Sequence, residues 1–287
     1  MGPVAPPVFV VGAPRSGGAL LYRLLCLHPD SFWASTWMRH AAASAPFAML
    51  HRVSARTSRR RPKPWFRTGF DAPPGARARR RYRRGLLPRP ADGEELFAAH
   101  DLDAVSDSEP PTRRQAGLRR AVASLARSVD GRVFVNHHPE HTRRIPQLRT
   151  LFPDARIVVP TRDGRAVAAS LRHADWWPES AAESDPWELA ATHWVREVEA
   201  LESGLAGVPT DQVLQIRYED LVADPQDTLD RVGEFAGLAP GRPSRRALAR
   251  VRLAQHADDG WPGRLGDAAE RVQAIQEGWL RKYGYLD

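Results

Sequence analysis

Short apolar runs alternate along the chain with segments in which apolar residues recur at helical spacing. The first run, residues 8–11, is followed by leucines that share one helical face from Leu20 to Leu27. Further apolar runs predict strands at 133–135, 157–159 and 213–218, and helical patterns cover 111–129, 164–172, 186–205, 225–235 and 267–283. Strands that alternate with helices predict an α/β fold, in which helices cover both faces of a parallel sheet of at least four strands.

A glycine-containing loop, Gly12-Ala-Pro-Arg-Ser-Gly-Gly18, joins the first strand to the first helix. Backbone N–H groups in such a loop converge on an anion, and the positive end of the helix dipole lies behind them. The spacing of Gly12 and Gly17 fits the loop of ATP- and GTP-binding proteins, but Gly18 and Ala19 replace its Lys and its Ser or Thr. We therefore predict a P-loop-like three-layer α/β/α fold with a metal-independent anion site, whose strong cation is Arg15. A turn that only connects strand and helix is the alternative.

A second anion site is predicted at the end of the strand at 157–159. Arg162 leaves the carboxyl end of that strand, and Ser170 lies eight residues later on the following helix. A guanidinium fork and a hydroxyl can bind one phosphate from two sides. Two anion sites on neighbouring strand ends indicate a nucleotide that is phosphorylated at two places.

Three histidines follow the strand at 133–135, at the end of the sheet where open α/β folds place their chemistry. They are His137, His138 and His141. A metal site is one interpretation, but Pro139 disfavours the helix that would put His137 and His141 on one face. No metal is therefore expected.

The segment 31–40 should emerge beside the anion-binding loop, and it is rich in aromatic and small polar residues. Two interpretations are open: it lines a substrate site, or it packs on the sheet. The residues that could face or wall a substrate are Ser35, Thr36, Arg39, His40, Trp33 and Trp37.

The net charge of +8 comes almost entirely from arginine, since all but two of the 42 Lys and Arg residues are Arg. This preference for arginine over lysine is as typical of a genome-wide compositional bias as of a functional basic surface. Arginine and proline concentrate at about 52–89, which we interpret as an insertion in a single domain spanning 1–287. No recognised nucleic-acid-binding module accompanies the basic residues, so nucleic acid is not expected as a partner. Peripheral contact with an anionic membrane surface stays open.

Cysteine usage and hydropathy indicate the compartment. Cys26 is the single cysteine, so the chain can form no internal disulfide, and a reducing cytoplasm is expected. No run approaches the 18 apolar residues of a membrane span, and the first seven residues lack the charged and apolar regions of a signal peptide. The oligomeric state is not predicted.

Four motifs, in order, resemble those of the sulfotransferases that use 3′-phosphoadenosine 5′-phosphosulfate (PAPS). They are the loop at 12–21, the segment 136–141, Arg-Asp-Gly-Arg-Ala-Val-Ala-Ala-Ser-Leu at 162–171 with Trp176 and Trp177 after it, and Arg-Tyr-Glu-Asp-Leu at 217–221 with Asp224-Pro225. The likeness is strongest to a bacterial branch whose loop reads G-x-P-R-S-G-T-T-L-L. Pro88-Arg89-Pro90 and Tyr283-Gly284-Tyr285 also fit, so the resemblance covers nearly the whole chain.

The resemblance implies transfer of a sulfuryl group from PAPS to a hydroxyl or amine of a small-molecule, lipid or carbohydrate acceptor, leaving adenosine 3′,5′-bisphosphate (PAP). It also implies roles for individual residues. The 5′-phosphosulfate would be held by Arg15, Ser16, Gly17, Gly18, Ala19 and Leu20, the 3′-phosphate by Arg162 and Ser170, and the adenine would lie near Tyr218. Arg15 would stabilise charge on the leaving group, because sulfuryl transfer depends mainly on positioning and on cations at the leaving oxygens.

The chain departs from the family at several of these positions. Gly18 and Ala19 replace two threonines, and His137 replaces a lysine. No acid stands where some relatives keep a carboxylate base. A histidine has an ordinary pKa of about 6.5 and can take a proton from the acceptor, so we expect His137 or His138 to be the base, with His137 partly replacing the lysine. Histidines that only cap the end of the strand are the other interpretation. The alternatives are a nucleotide-binding protein without transfer activity and, less favoured by Gly18 and Ala19, a P-loop kinase.

Overall fold

The computed structural model describes residues 5–35, 45–60, 88–106, 108–172, 174, 185–239 and 260–287. The strands are β1 (Val8–Val10), β2 (Ser31–Trp33), β3 (Val133–His137), β4 (Arg156–Thr161) and β5 (Val213–Arg217). The described helices are α1 (Gly18–Leu25), α2 (Ala45–Arg60), α3 (Glu94–Ala98), α4 (Gly117–Val129), α5 (Ile145–Leu151), α6 (Gly164–Leu171), α7 (Pro186–Leu205), α8 (Tyr218–Ala223), α9 (Pro225–Ala236), α10 (Trp261–Leu265) and α11 (Ala269–Lys282). Short 3₁₀ turns lie at Leu102–Ala104, Pro139–Thr142, Thr210–Gln212 and Gly266–Ala268.

The sheet has five strands in the order β2-β3-β1-β4-β5, and every pairing is parallel. Val10 of β1 lies opposite His137 on one side and Val158 on the other. The winding direction reverses between β1 and β3, so the carboxyl ends of these two strands flank a crevice of the kind in which open α/β sheets bind ligands.

The sheet is buried on both faces, as the near-continuous apolar runs predict. Alternate residues of β1 and of the position after it enter different layers: Val8 and Val10 pack with α1, α8 and α9, whereas Phe9 and Val11 pack with α4 and α5. A third cluster joins α6, α7 and α11 around the buried indole of Trp194. The predicted three-layer α/β/α fold is confirmed, and no described helix is long and apolar enough to cross a membrane.

Two sequence interpretations are corrected. The segment after the first helix contains a fifth strand, β2. Trp33 is fully buried in this strand, with its ring centroid 3.9 Å from the ring centroid of His51, so its side chain belongs to the core and does not wall a substrate site. Tyr218 does not end the strand at 213–218 but begins α8, because the backbone turns into a helix after Arg217.

The interpretation of 52–89 as an insertion is addressed only at its edges. Residues 52–60 belong to α2, while 61–87 lie outside the described residues. Thr36, Trp37, Arg39, His40 and the tryptophans at 176 and 177 are outside them as well. The single-domain arrangement stays a prediction.

Candidate active site

The loop between β1 and α1 holds two residues in the left-handed backbone region. Arg15 has φ 67° and Gly17, the N-cap of α1, has φ 91°. A side chain at position 17 would place its Cβ 2.5 Å from Cδ2 of Tyr218, so glycine is required by backbone and neighbour alike. Backbone strain at Arg15 is a feature that proteins concentrate at functional sites.

The N-terminus of α1 presents donors toward the crevice. The N–H groups of Gly18, Ala19 and Leu20 open the helix and have no intrahelical acceptor. Ser16 behaves differently, since its side chain is buried and its N–H donates to the carbonyl of Ala13. An anion at this loop would therefore meet the helix N–H groups, while Ser16 shapes the turn.

Four predicted site residues meet in one cluster. The Nε of Arg15 donates to Oγ of Ser170 at 2.9 Å, although the two residues are 155 positions apart. Nη1 of Arg162 donates to the carbonyl of Arg15 at 3.0 Å, and the Arg162 guanidinium lies 4.3 Å from the ring centroid of Tyr218. Burial and the positive charge of Arg162 lower the pKa of Arg15. Two neighbouring guanidinium groups repel each other, and an anion bound between them would relieve that repulsion.

The ring of His137 fills the space that a side chain on Gly18 would occupy. A Cβ at position 18 would lie 2.7 Å from Cε1 of His137. The Nδ1–H of His137 donates to the carbonyl of Val10 at 3.0 Å, which leaves the lone pair on Nε2 when the ring is neutral. The missing threonine at 18 and the missing lysine at 137 are thus one structural feature, because the ring and a side chain at 18 cannot both fit.

The charge state of His137 depends on two opposing influences. Burial lowers the pKa of His137, while the hydrogen bond to Val10 and the negative charge of Asp92 raise it. Burial is the larger influence, so the free protein favours the neutral ring.

His138 has both ring nitrogens engaged. Its Nδ1 accepts from the N–H of Glu140 at 3.1 Å, which caps a 3₁₀ turn, and its Nε2 lies 2.9 Å from a carboxylate oxygen of Glu94. The same oxygen accepts from Nη1 of Arg144 at 2.9 Å. His138 therefore has no free lone pair in this arrangement.

His141 holds Asn136, the residue before His137, from within the core. It is fully buried and its Nε2–H donates to Oδ1 of Asn136 at 2.7 Å, between the rings of Phe9 and Phe97. Burial holds the pKa of His141 well below its usual value. Within the described part of the chain, no group of three or more His, Cys, Asp or Glu side chains is arranged to hold a metal ion.

The turn that carries Arg162 is held by residues whose roles the sequence analysis missed. The N–H of Asp163 donates to one carboxylate oxygen of Glu219 at 3.1 Å, and the Tyr285 hydroxyl donates to the other at 2.9 Å. Arg165 binds both the Asp163 carboxylate and the Tyr285 carbonyl. Glu219 and Tyr285 belong to the motifs at 217–221 and 283–285, so the resemblance marked both residues although it implied no role for either of them.

Comparisons with known proteins agree with the geometry. A family model described as "Sulfotransferase family" matches residues 6–240. The omega-hydroxy-beta-dihydromenaquinone-9 sulfotransferase Stf3 of Mycobacterium tuberculosis is 26% identical over 315 aligned positions, which cover 98% of this chain and 75% of that protein.

Two solved structures share the fold at 18% identity. Sulfotransferase STF1 of Mycobacterium tuberculosis superposes with a TM-score of 0.62, covering 96% of this chain and 77% of that one. Sulfotransferase STF9 of Mycobacterium avium gives 0.60, with 98% and 77% covered. Since the family model matches most of the chain, this protein belongs to the sulfotransferase family and is a sulfuryl-transferring enzyme.

Proposed function

We propose that this enzyme uses PAPS as its donor and transfers the sulfuryl group to a hydroxyl of a small-molecule or lipid acceptor. Sulfotransferases generally use PAPS. The observation that carries the proposal is the contact of Arg15 with Ser170 and Arg162, because it joins the two predicted anion sites into one. A single doubly phosphorylated nucleotide can then touch both.

The proposed reaction breaks the bond between sulfur and the bridging phosphate oxygen and forms a bond between sulfur and the acceptor oxygen. Negative charge develops on the leaving phosphate, and the acceptor proton passes to a base. Arg15 and the N–H groups at the start of α1 would stabilise that charge. Arg162 and Ser170 would bind the 3′-phosphate, and the ring of Tyr218 would lie against the adenine.

His137 belongs to the donor side in this proposal. Its ring lies against Gly18, and its Nε2 makes no hydrogen bond to a described residue. A bound phosphosulfate would favour the protonated ring, which could then take over the role of the lysine. The expectation that His137 or His138 is the base stays a prediction, and the contacts of His138 make it the weaker of the two.

The acceptor class is supported by a relative. Stf3, at 26% identity, is named for an omega-hydroxylated dihydromenaquinone, which is a lipid alcohol. We propose an acceptor of this kind, a hydroxyl on an apolar molecule. A cytoplasmic location is proposed on the single, buried Cys26.

Calorimetry with PAP, adenosine 5′-phosphate and ATP–Mg²⁺ tests the donor. The wild type should bind PAP more tightly than adenosine 5′-phosphate, and Arg162→Ala should abolish that preference. A charged hydrogen bond contributes about 1.5–3 kcal/mol, so the loss should be about 10- to 150-fold. Arg156→Ala is the matched control, since Arg156 lies on the same strand at the opposite end of the sheet. Equal binding of the two nucleotides by the wild type would refute the proposal, and preference for ATP–Mg²⁺ would favour a kinase.

Transfer itself is tested with ³⁵S-labelled PAPS and dodecanol or a bacterial lipid extract as acceptor. Labelled sulfate should move to the lipid phase. Tight PAP binding without transfer to either acceptor and without release of sulfate to water would favour the nucleotide-binding protein that lacks activity.

A further inference from the structure

The residues just after the undescribed segment 61–87 cross the carboxyl end of the sheet, and we call residues 88–93 the crossing loop. Pro90 forms an antiparallel bridge with Ser35, and the N–H of Ala91 donates to the carbonyl of Ala34 at 2.9 Å. The Tyr22 hydroxyl donates to the carbonyl of Ala91, also at 2.9 Å. The loop is therefore attached both to the end of β2 and to α1.

Asp92 lies at the centre of this attachment. Nδ2 of Asn136 donates to the Asp92 carbonyl at 2.9 Å, and Asn136 is itself held by His141 and immediately precedes His137. Gly93 follows with φ 77°, and a Cβ there would lie 2.6 Å from that of Ala34. The backbone of Asp92 is thus fixed beside the strand end that carries His137.

The side chain of Asp92 is available. It is exposed, and among the described residues its carboxylate makes no hydrogen bond or ion pair. Its negative charge acts on both His137 and Tyr22: it opposes the lowering of the His137 pKa by burial and adds to the raising of the Tyr22 pKa by burial. Glu94, two residues later, is instead engaged with His138 and Arg144.

A general base needs a free lone pair within reach of the acceptor. His138 has none in this arrangement, and His141 is buried below the site. The ring of His137 lies against Gly18, where the leaving group is proposed to bind, and so on the donor side of the site. Two described acids near the end of β3, Asp92 and Glu140, are exposed and make no side-chain hydrogen bond to a described residue. The charge of Glu140 acts on Arg143, whereas the charge of Asp92 acts on His137, whose ring lies against Gly18. Asp92 is therefore the acid that faces the proposed donor site.

We infer that Asp92 is the general base for the acceptor: its carboxylate takes the proton of the attacking hydroxyl as the new sulfur–oxygen bond forms and the bond to the bridging oxygen breaks. The inference rests on the proposed function. It supplies, from a distant part of the chain, the carboxylate that the segment 31–40 lacks.

Asp92→Asn tests it, with Asp92→Glu as the conservative variant and Glu95→Gln as the matched control, because Glu95 is an exposed acid three residues away. The readouts are PAP affinity by calorimetry and release of PAP from PAPS with water or dodecanol as acceptor. A positioned base contributes about 10²- to 10⁴-fold, so Asp92→Asn should lower kcat by about 100-fold or more. PAP affinity should stay within about twofold, because Asp92 is proposed to meet the acceptor and not the donor. Asp92→Glu should recover part of the rate, and Glu95→Gln should match the wild type.

Retention by Asp92→Asn of more than a third of kcat would overturn the inference. So would a rate loss accompanied by a tenfold weaker PAP affinity, because that pattern indicates a structural role. The proposed function fails separately: it would be refuted by a wild type that binds no PAP, and the inference would fall with it.

Discussion

Replacing Gly18 with alanine tests the coupling between the anion-binding loop and β3. The new Cβ would lie 2.7 Å from Cε1 of His137, 3.2 Å from Nδ1 and 3.3 Å from Nε2. The ring must move by several tenths of an ångström to restore ordinary contact. Because its Nδ1–H donates to the carbonyl of Val10, that movement weakens a hydrogen bond.

The expected magnitude follows from three contributions. Overpacking costs about 1–3 kcal/mol, and the weakened hydrogen bond contributes up to about 1 kcal/mol. Alanine in place of glycine favours the helix by up to about 1 kcal/mol, and less in the first turn. The single variant should therefore lose about 1–3 kcal/mol of unfolding free energy. In a His137→Ala background the clash is absent, so the same substitution should be neutral or stabilising.

Urea unfolding of the wild type, both single variants and the double variant measures this as a double-mutant cycle. We expect a coupling energy of about 1–4 kcal/mol between positions 18 and 137, since His137→Ala removes both the overpacking and the hydrogen bond. PAP binding should also become weaker in Gly18→Ala, since the displaced ring carries Nε2 with it. Additive effects, within about 0.5 kcal/mol, would refute the reasoning that one ring replaces both family side chains.

Three further outcomes are expected. His141 is buried and its pKa is lowered, so below about pH 6.5 the unfolded chain binds a proton that the folded protein does not. The free energy of unfolding should therefore fall by up to about 1.4 kcal/mol for each pH unit below 6.5. Equal urea midpoints at pH 7.5 and 5.5 would contradict this. Tyr285→Phe removes a hydrogen bond to the Glu219 carboxylate, which contributes about 1.5–3 kcal/mol. The variant should have a lower Tm and bind PAP severalfold more weakly. An unchanged Tm and Kd would contradict the role of Tyr285 and Glu219 in holding the turn that carries Arg162. Gly17→Ala should weaken PAP binding by more than about tenfold, because backbone strain costs about 1–3 kcal/mol and the new Cβ would lie 2.5 Å from Cδ2 of Tyr218. A Kd for PAP within about twofold of the wild-type value would contradict this.

Much of the fold could be predicted because the strands β1, β3, β4 and β5 coincide with apolar runs. The strand β2 could not, since only two of its residues, Phe32 and Trp33, are apolar, whereas β1 lies in a run of four apolar residues. β2 forms because it pairs with β3, and a contact between distant parts of the chain leaves no local sequence pattern. The start of α8 was missed because the alternating pattern continues to Tyr218, although the acids at 219 and 220 favour a helix N-terminus.

The candidate site also contains some residues that the sequence predicts and others that it does not. The motifs placed Arg15, Arg162, Ser170 and Tyr218 near one ligand, and the structure brings their side chains together. The contact of His137 with Gly18 depends on the register of β1 against β3, which the sequence does not state. Asp92 could not be found by pattern, because it lies in a loop outside any periodic segment.

The separation of Arg15 from Ser170 along the chain has a practical consequence. Neither half of the polypeptide carries the complete cluster, so affinity for the proposed nucleotide should report on whether β1 and β4 have come together correctly. Immobilised PAP should accordingly retain correctly assembled molecules and let misassembled ones pass, which would make one chromatography step a test of conformational quality.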